Sequence, residues 1–369
     1  MKNGKIGVGI IGVHPTQGWA TTAHLPALQA SPDFEVVALT NSTLASAEEA
    51  ARKFKVPHFF QRHEDLLNCA DVDLVVVTVK VPYHFELVSA AIKAGKSVYC
   101  EWPLGNGLQE ALELQRLAEQ HKVSATVGLQ SRATPEMNFV RDMVRQDYVG
   151  EVLSATLVGS GIIGGAMIPA GFAYTLDPKN GAGILNVAFS HAADALCFAL
   201  DTRFADVAAT LESRRKTAQV IETGEILAMQ TPDQIAVNGT LENGTVVSAH
   251  VRGGMSRGTN FRLEINGTRG DLVVTSSLGY PGIGATTVHG GRDDDALIHE
   301  LEIPAEYKLV GSELGMGTNV ANNYALLAAD LKNGTHTAPS FADAVTLHRL
   351  IDAIEQSAAK GRKIMIDAS

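Results

Sequence analysis

Three stretches of this 369-residue chain carry glycines at phosphate-loop spacing, and their positions relative to the strands decide which could do that chemistry. A diphosphate is held where backbone N–H groups at the start of a helix point out towards it. Gly7-Val8-Gly9-Ile10-Ile11-Gly12 matches Gly-x-Gly-x-x-Gly letter for letter, but its first two glycines fall inside an apolar strand rather than after it. Gly159-Ser160-Gly161-Ile162-Ile163-Gly164 follows a strand without leading into a helix. Gly12-Val13-His14-Pro15-Thr16-Gln17-Gly18-Trp19 starts at a strand end and runs into a helix, so it is the candidate dinucleotide loop. Here Gly12 is expected to permit the tight turn and Gly18 the close approach of the helix. His14 stands where a middle glycine usually sits, in a loop one residue longer than that pattern. At the end of the second strand a dinucleotide domain usually presents an acid to the ribose hydroxyls. This chain has Thr40-Asn41-Ser42-Thr43 instead. Asn41 and Ser42 cannot repel a 2′-phosphate and can donate to it, so NADP suits the tip at least as well as NAD; the same residues equally suit a helix N-cap.

Other chemical signals are weaker. Gly254-Met255-Ser256-Arg257-Gly258 fits the Gly-x-Ser-x-Gly nucleophile pattern, but that elbow needs a strand-to-helix turn and this stretch lies among hairpins. Asp293-Asp294-Asp295 reads as a solvated loop tip, and the twelve histidines show no metal-ligand spacing, so no metal is expected. Cys69, Cys100 and Cys197 are odd in number and far apart, which argues for a reducing compartment over a disulfide framework.

The elements that must position these residues fall into two parts. The length gives a prior of two domains, and the composition, 45% hydrophobic and 19% charged, suits a packed globular protein. With 30 Lys+Arg against 40 Asp+Glu, the net charge of −10 opposes direct nucleic-acid binding. The apolar run near the N-terminus is short and broken by glycines, so it reads as a first buried strand and not a signal peptide. No stretch is expected to span a bilayer, and a cytoplasmic location is the simplest reading. Nearly continuous Val/Ile/Leu runs at Lys5–Ile11, Glu35–Leu39, Leu74–Val79, Ser97–Cys100 and Ser124–Gly128 predict parallel strands buried on both faces. Helical segments at Thr21–Ala30, Leu44–Phe54, Tyr83–Ala94 and Leu108–His121 alternate with them, with Ser42-Thr43 and Asn106 as N-caps and Gly95 as a stop. After Gln130 a helix near Pro135–Arg145 precedes period-two runs parted by Asn243-Gly244 and Asn266-Gly267, which predict antiparallel hairpins. Helical periodicity returns at Asn319–Lys332 and Phe341–Lys360, and Ile364–Ile366 closes as a strand. The expected fold is α/β: a Rossmann domain over residues 1–130, then an α+β domain over 131–369 built on an open, largely antiparallel sheet.

Several segments together resemble one family. Gly12…Gly18…His24-Leu25-Pro26-Ala27-Leu28, Val75-Val76-Val77-Thr78 with His84, Ala94-Gly95-Lys96-Ser97-Val98-Tyr99-Cys100-Glu101-Trp102-Pro103-Leu104, Gly128-Leu129-Gln130-Ser131-Arg132 and Gly150-Glu151-Val152 are similar to the glucose-fructose oxidoreductase / inositol dehydrogenase (Gfo/Idh/MocA) family. Gly18-Trp19 and Glu101-Trp102 look most like its branch containing the fungal galactose-regulon repressor, a type that binds a nicotinamide dinucleotide and acts on a transcriptional activator. The resemblance implies NAD or NADP as cofactor, redox chemistry on a sugar or polyol bound between the domains, and a homo-oligomer formed through the C-terminal sheet. It also implies cofactor contacts from Gly12, Val13, His14, Gly18, Trp19, Asn41, Ser42, Thr78, Val79, His84, Glu101, Trp102 and Gln130.

Two departures from the family bear on catalysis. Family enzymes usually carry Glu-Lys-Pro where this chain has Glu101-Trp102-Pro103, and tryptophan cannot shuttle a proton. The family's glycine-rich turn leading to Asp-x-x-x-His is similar to Gly181-Ala182-Gly183-Ile184-Leu185-Asn186-Val187-Ala188-Phe189-Ser190-His191, with Val187 at the aspartate position. The resemblance therefore leaves His191 to take the substrate proton, aided by Lys80 or Lys179; His191 equally suits a core histidine. Two readings follow: an NAD(P)-dependent oxidoreductase acting on CH–OH groups, which the family favours, and a non-catalytic dinucleotide sensor acting through a regulatory protein partner. Neither involves direct DNA contact or a membrane.

Overall fold

A computed structural model describes residues 4–367. The chain divides into two compact units, residues 1–133 with 309–346, and residues 134–308 with 347–369.

The first unit is built on a parallel sheet of β1 (Ile6–Ile11), β2 (Phe34–Thr40), β3 (His58–Phe60), β4 (Leu74–Val77), β5 (Ser97–Glu101) and β6 (Ala125–Gly128). Their order is β3-β2-β1-β4-β5-β6, every pairing is parallel, and every residue of β1 and β4 is buried. Strand order reverses between β1 and β4, and in an open α/β sheet that is where a crevice forms outside the carboxyl ends. Helices α1 (Leu25–Ala30), α2 (Leu44–Phe54), α3 (His63–Leu67), α4 (His84–Lys93) and α5 (Leu108–His121) cross between the strands. Thr43 caps α2 by accepting from the Ser46 N–H. At α5 the N-cap is Gly107 rather than Asn106, and the Glu110 carboxylate reaches back 2.7 Å to the Asn106 N–H.

The chain returns to this unit near its end, a departure from the simple division at Gln130. Helix α8 (Thr318–Asn333) buries Val320, Tyr324, Leu327 and Ala328 in the same core as Ile10, Leu28 and Phe34. An amphipathic helix belongs to whichever core takes its apolar stripe, and sequence order does not say which core that is.

The second unit holds α6 (Pro135–Arg145), α7 (Ser190–Leu200), most of α9 (Phe341–Lys360) and two sheets. Its strands are β7 (Val152–Gly161), β8 (Met167–Ile168), β9 (Phe204–Glu212), β10 (Thr217–Val220), β11 (Ile226–Ala228), β12 (Gln234–Leu241), β13 (Val246–Gly253), β14 (Phe261–Gly267), β15 (Gly270–Ser276), β16 (Thr286–Arg292), β17 (His299–Glu300) and β18 (Ile364–Met365). The nine-stranded sheet runs β17-β16-β15-β14-β7-β13-β12-β9-β18; β7 and β13 are parallel and the other neighbours antiparallel. The hairpins at Asn243-Gly244 and after Asn266 form as the turn residues dictate, with Gly244 at φ +90°.

One expectation needs correction. Pro178–Leu200 is long and apolar enough to cross a membrane by length and composition, but 78% of its most apolar window is buried inside the protein. Its apolarity serves the core: Phe189, Ala192, Ala195, Leu196 and Ala199 are all under 5% exposed.

Candidate active site

The residues expected to hold a dinucleotide gather along the carboxyl edge of the first sheet, because a parallel sheet turns every strand end the same way. Gly12, Val13 and His14 follow β1; Asn41 and Ser42 follow β2; Thr78, Val79 and Lys80 follow β4; Glu101 ends β5 and Trp102 follows it; Gln130 lies two residues past β6.

The glycines divide by role. Gly7 and Gly9 lie within β1, where a side chain would meet the Asp71 carbonyl oxygen at 1.9 Å and Leu66 Cδ2 at 2.8 Å. They are packing glycines, so the literal motif is not the phosphate loop. Gly12 has φ +103°, and a Cβ there would lie 2.8 Å from Val79 Cγ1. Gly18 differs from expectation. Its φ is +94°, but apart from its chain neighbours no atom of the described residues lies within 4 Å of where its Cβ would be. It supplies backbone conformation and open room at the mouth of the following helix, not close packing. That helix begins with a wide π turn over Ala20–His24, closed by the Leu25 N–H on the Ala20 carbonyl, before α1 continues.

Several predicted contacts are committed to the fold. The Gly12 and Val13 N–H groups both donate to the Thr40 carbonyl at 3.1 Å, and the Val13 side chain is fully buried, so Val13 has little left for a ligand. His14 Nδ1 accepts from the Thr16 N–H at 3.2 Å, and its carbonyl accepts from the Thr21 hydroxyl. Asn41 donates to Ser46 Oγ at 2.6 Å and accepts from the Ser42 N–H at 2.7 Å, which stiffens an acid-free tip. Thr78 donates its hydroxyl to the Ile11 carbonyl at 2.9 Å. His84 is 1% exposed, with Nδ1 2.8 Å from the Pro103 carbonyl and Nε2 2.9 Å from the Val79 carbonyl. Burial lowers its pKa, so the neutral ring has one N–H to give to one of these two carbonyls, and, enclosed between the two loops, His84 is not placed to touch a cofactor. Trp102 is 6% exposed and packs into the protein rather than lining an open wall. Trp19 is half-buried, and its shielded Nε1 has no hydrogen-bond partner. Lys80 is exposed on the rim.

Glu101 anchors a network that sequence reasoning missed. Its Oε1 accepts from His24 Nε2 at 2.9 Å, and Gln130 Nε2 donates to Oε2 at 3.0 Å. With Nε2 donating to the carboxylate, His24 Nδ1 is the acceptor for Tyr324 OH, at 2.7 Å. A Cβ at Gly128 would lie 2.5 Å from Glu101 Oε1, so that glycine makes room for the carboxylate. Burial pushes the Tyr324 phenol well above its ordinary range. His24 stood in a quoted motif, but no local signal pairs it with Tyr324, 300 residues away.

The second unit presents His191 on the first turn of α7, after another π turn over Leu185–Phe189 that carries Val187. Such turns recur at functional sites because they re-aim side chains. His191 is 3% exposed, and its ring stacks on Tyr280 at 4.2 Å between centroids and 8° between planes. Burial lowers its pKa to about 3, so the imidazole is neutral, and among the described residues its Nδ1 has no hydrogen-bond partner. An orphaned buried nitrogen is uncommon and marks a place where a ligand or water completes the bonding. Asp194 lies one turn further on, buried. Lys179 is exposed on a separate short turn, where its N–H meets Asp177. Ser256 lies in the loop between β13 and β14, with no strand-to-helix elbow, and Gly254 is explained by the backbone of Gly165 at 2.8 Å.

Residues 6–129 match the model of the oxidoreductase family with NAD-binding Rossmann fold (GFO_IDH_MocA), and residues 135–276 match that of the Gal80p C-terminal domain. The chain belongs to the Gfo/Idh/MocA family. Among its relatives is the galactose/lactose metabolism regulatory protein GAL80 of Kluyveromyces lactis, 28% identical over 295 residues. That match covers 74% of this chain and just under two thirds, 65%, of the relative's length. Dehydrogenase aclE of Aspergillus oryzae is 28% identical over 374 residues, 97% of each chain. The structure of levoglucosan dehydrogenase in complex with NADH and levoglucosan shares the fold, with TM-score 0.85 and 20% identity over 98% of this chain and 99% of that one. Within the Gfo/Idh/MocA family this chain therefore has both a regulator and a dehydrogenase among its relatives.

Proposed function

We propose that this protein is a nicotinamide-dinucleotide-dependent oxidoreductase acting on a CH–OH group of a sugar or polyol. The observation that carries this reading is the open space beside Gly18, at the helix mouth following the switch-point strand β1. The residues fit a dinucleotide: the Gly12–Gly18 loop would take the diphosphate, the Asn41–Ser42 tip the adenosine ribose, and the β4 to β6 ends the nicotinamide half. The family model and the NADH complex of levoglucosan dehydrogenase support NAD(H). The tip, which lacks a carboxylate, leaves room for NADP(H).

When bound, the nicotinamide takes up or gives a hydride. His191 would accept a hydrogen bond from the substrate hydroxyl through its unpaired Nδ1 and draw off the proton as hydride leaves. Burial keeps it in the accepting form but makes it a weak base. Its contribution should therefore fall at the low end of the ~10²–10⁴ typical of acid–base groups, with positioning supplying more. Lys80 would add positive charge at the rim.

The second reading, a dinucleotide sensor working through a protein partner, is favoured by Trp102 and Val187 at the positions of the family's lysine and aspartate, and by the GAL80 relative. Self-association through the nine-stranded sheet is part of this proposal; Ala208, Asn238, Ser248, Thr156 and Glu264 register across one of its faces.

Calorimetric titration with NADH and NADPH, followed by absorbance assays on a sugar and polyol panel, tests these readings. Binding with turnover that His191→Ala cuts about a hundredfold supports the enzyme. Binding with no turnover on any substrate supports the sensor. Failure of every dinucleotide to bind overturns both.

A further inference from the structure

Strand β3 is the edge of the parallel sheet, β2 lies beside it, and their register sets what stands at the two tips. Ala38 pairs with His58, Leu39 with Phe59 and Thr40 with Phe60, the last residue of each strand. The chain leaving β2 therefore starts out beside the chain leaving β3, Asn41-Ser42 on one and Gln61-Arg62 on the other. In a dinucleotide fold the end of the second strand is where the 2′ position of the adenosine ribose is met.

The β2 side suits an anion. Asn41 is tied to Ser46 and to the Ser42 N–H, while Ser42 is exposed and its hydroxyl bonds to nothing among the described residues. Helix α2 follows with no acid in its first turn, so the positive end of its dipole is left uncompensated near the tip.

Arg62 breaks a local rule on the β3 side. It occupies the N-cap of α3, a place that favours a short acceptor side chain such as Ser, Thr, Asp or Asn, and its side chain caps nothing. That side chain is 68% exposed. Its Nε meets Glu64 Oε2 at 3.3 Å, and neither Nη group makes a hydrogen bond among the described residues. A guanidinium held by Nε keeps both Nη groups for a second anion, and its planar fork matches phosphate.

We propose that Arg62 and Ser42 together bind a 2′-phosphate, and that the cofactor of this chain is NADP(H) in preference to NAD(H). The assignment deepens the reading that a dinucleotide binds along the carboxyl edge, and rests on it. Ser42 donates its hydroxyl to the phosphate and Arg62 an Nη N–H. Glu64, whose charge opposes a phosphate, is the carboxylate already paired with that guanidinium. NAD(H) offers at the same place only a neutral hydroxyl, for which a guanidinium has no acceptor.

Calorimetry with NADPH and with NADH on the full chain reads the preference directly. Wild type is expected to bind NADPH about tenfold more tightly or better, with an advantage that shrinks as salt rises. Arg62→Ala should lose about tenfold or more in NADPH affinity, as for one charge-assisted hydrogen bond, and stay within about twofold for NADH. Arg62→Asp supplies a side chain that an N-cap favours, so its melting temperature should hold or rise while the preference turns to NADH. That variant separates loss of the phosphate contact from loss of fold. Equal affinity for the two dinucleotides in wild type overturns the assignment and leaves the dinucleotide reading standing. So does an Arg62→Ala variant that weakens both alike, as it would if the guanidinium only stacked on adenine. If wild type binds neither, the dinucleotide reading itself fails and the assignment falls with it.

Discussion

The imidazole of His191 lies flat against the phenol ring of Tyr280, 4.2 Å between centroids and 8° from parallel. Such stacking is worth about 0.5–1.5 kcal/mol beyond the area buried, enough to hold one ring orientation, and with it the direction of the unpaired Nδ1. Tyr280→Phe keeps the stacked face and should leave turnover within about threefold of wild type. Tyr280→Ala should cut kcat about tenfold or more while the Kd for NADH stays put, as steady-state kinetics beside calorimetry would show. Equal losses in the two variants would mean that the hydroxyl, not the stack, matters.

Acid should weaken the second unit. His191 and His348 are both buried there, and burial lowers each pKa from 6.5 to about 3. Between those values the unfolded imidazoles bind protons that the folded ones refuse, so stability is whole above about pH 6.5 and falls as pH drops towards 3. Each group contributes a loss on the order of a few kcal/mol across that window. Urea unfolding at pH 7.0, 6.0 and 5.0 should show the decline, and His348→Leu should flatten it. An unchanged pH slope in that variant would contradict the assignment.

Two glycines in the candidate loop should fail in different ways. Gly12→Ala puts a methyl 2.8 Å from Val79 Cγ1 at φ +103°, so the protein itself should be destabilised, by roughly 2 kcal/mol or more. Gly18→Ala meets no neighbour within 4 Å, and only its φ of +94° resists, at a cost of about 1–2 kcal/mol. In the proposed site its methyl would occupy the room that the diphosphate needs. Thermal melts should rank Gly12→Ala lower, while Gly18→Ala melts closer to wild type yet loses at least tenfold in NADH affinity.

The Glu101–His24–Tyr324 chain should behave as a structural unit. Tyr324→Phe removes one buried hydrogen bond and should cost about 1 kcal/mol. His24→Ala leaves the Tyr324 hydroxyl unpaired and takes one partner from Glu101, while opening a cavity in a core where His24 is 0% exposed, so a loss of about 3 kcal/mol is expected. Denaturant titration of the double variant should give less than the sum, because the two changes break the same bond.

What the sequence by itself determined was local. Unbroken apolar runs such as Leu74–Val77 can only be strands covered on both faces, Leu44–Phe54 carries its own cap and periodicity, and Asn243-Gly244 imposes its turn. Position relative to a strand was enough to set Gly7 and Gly9 aside as phosphate-loop glycines. What only the tertiary structure decided was which atoms remain available once the fold has used the rest. The Val13 N–H goes to a carbonyl of another strand, the His84 ring is enclosed between carbonyls of two loops, and His24 finds Tyr324 across 300 residues, while Gly18 faces empty room and His191 keeps a nitrogen unpaired. Burial and hydrogen-bond partnership are set by neighbours far apart in the chain. Residue type and spacing can bring a group to the right edge of a sheet, but only the packing around it decides whether it is free to act.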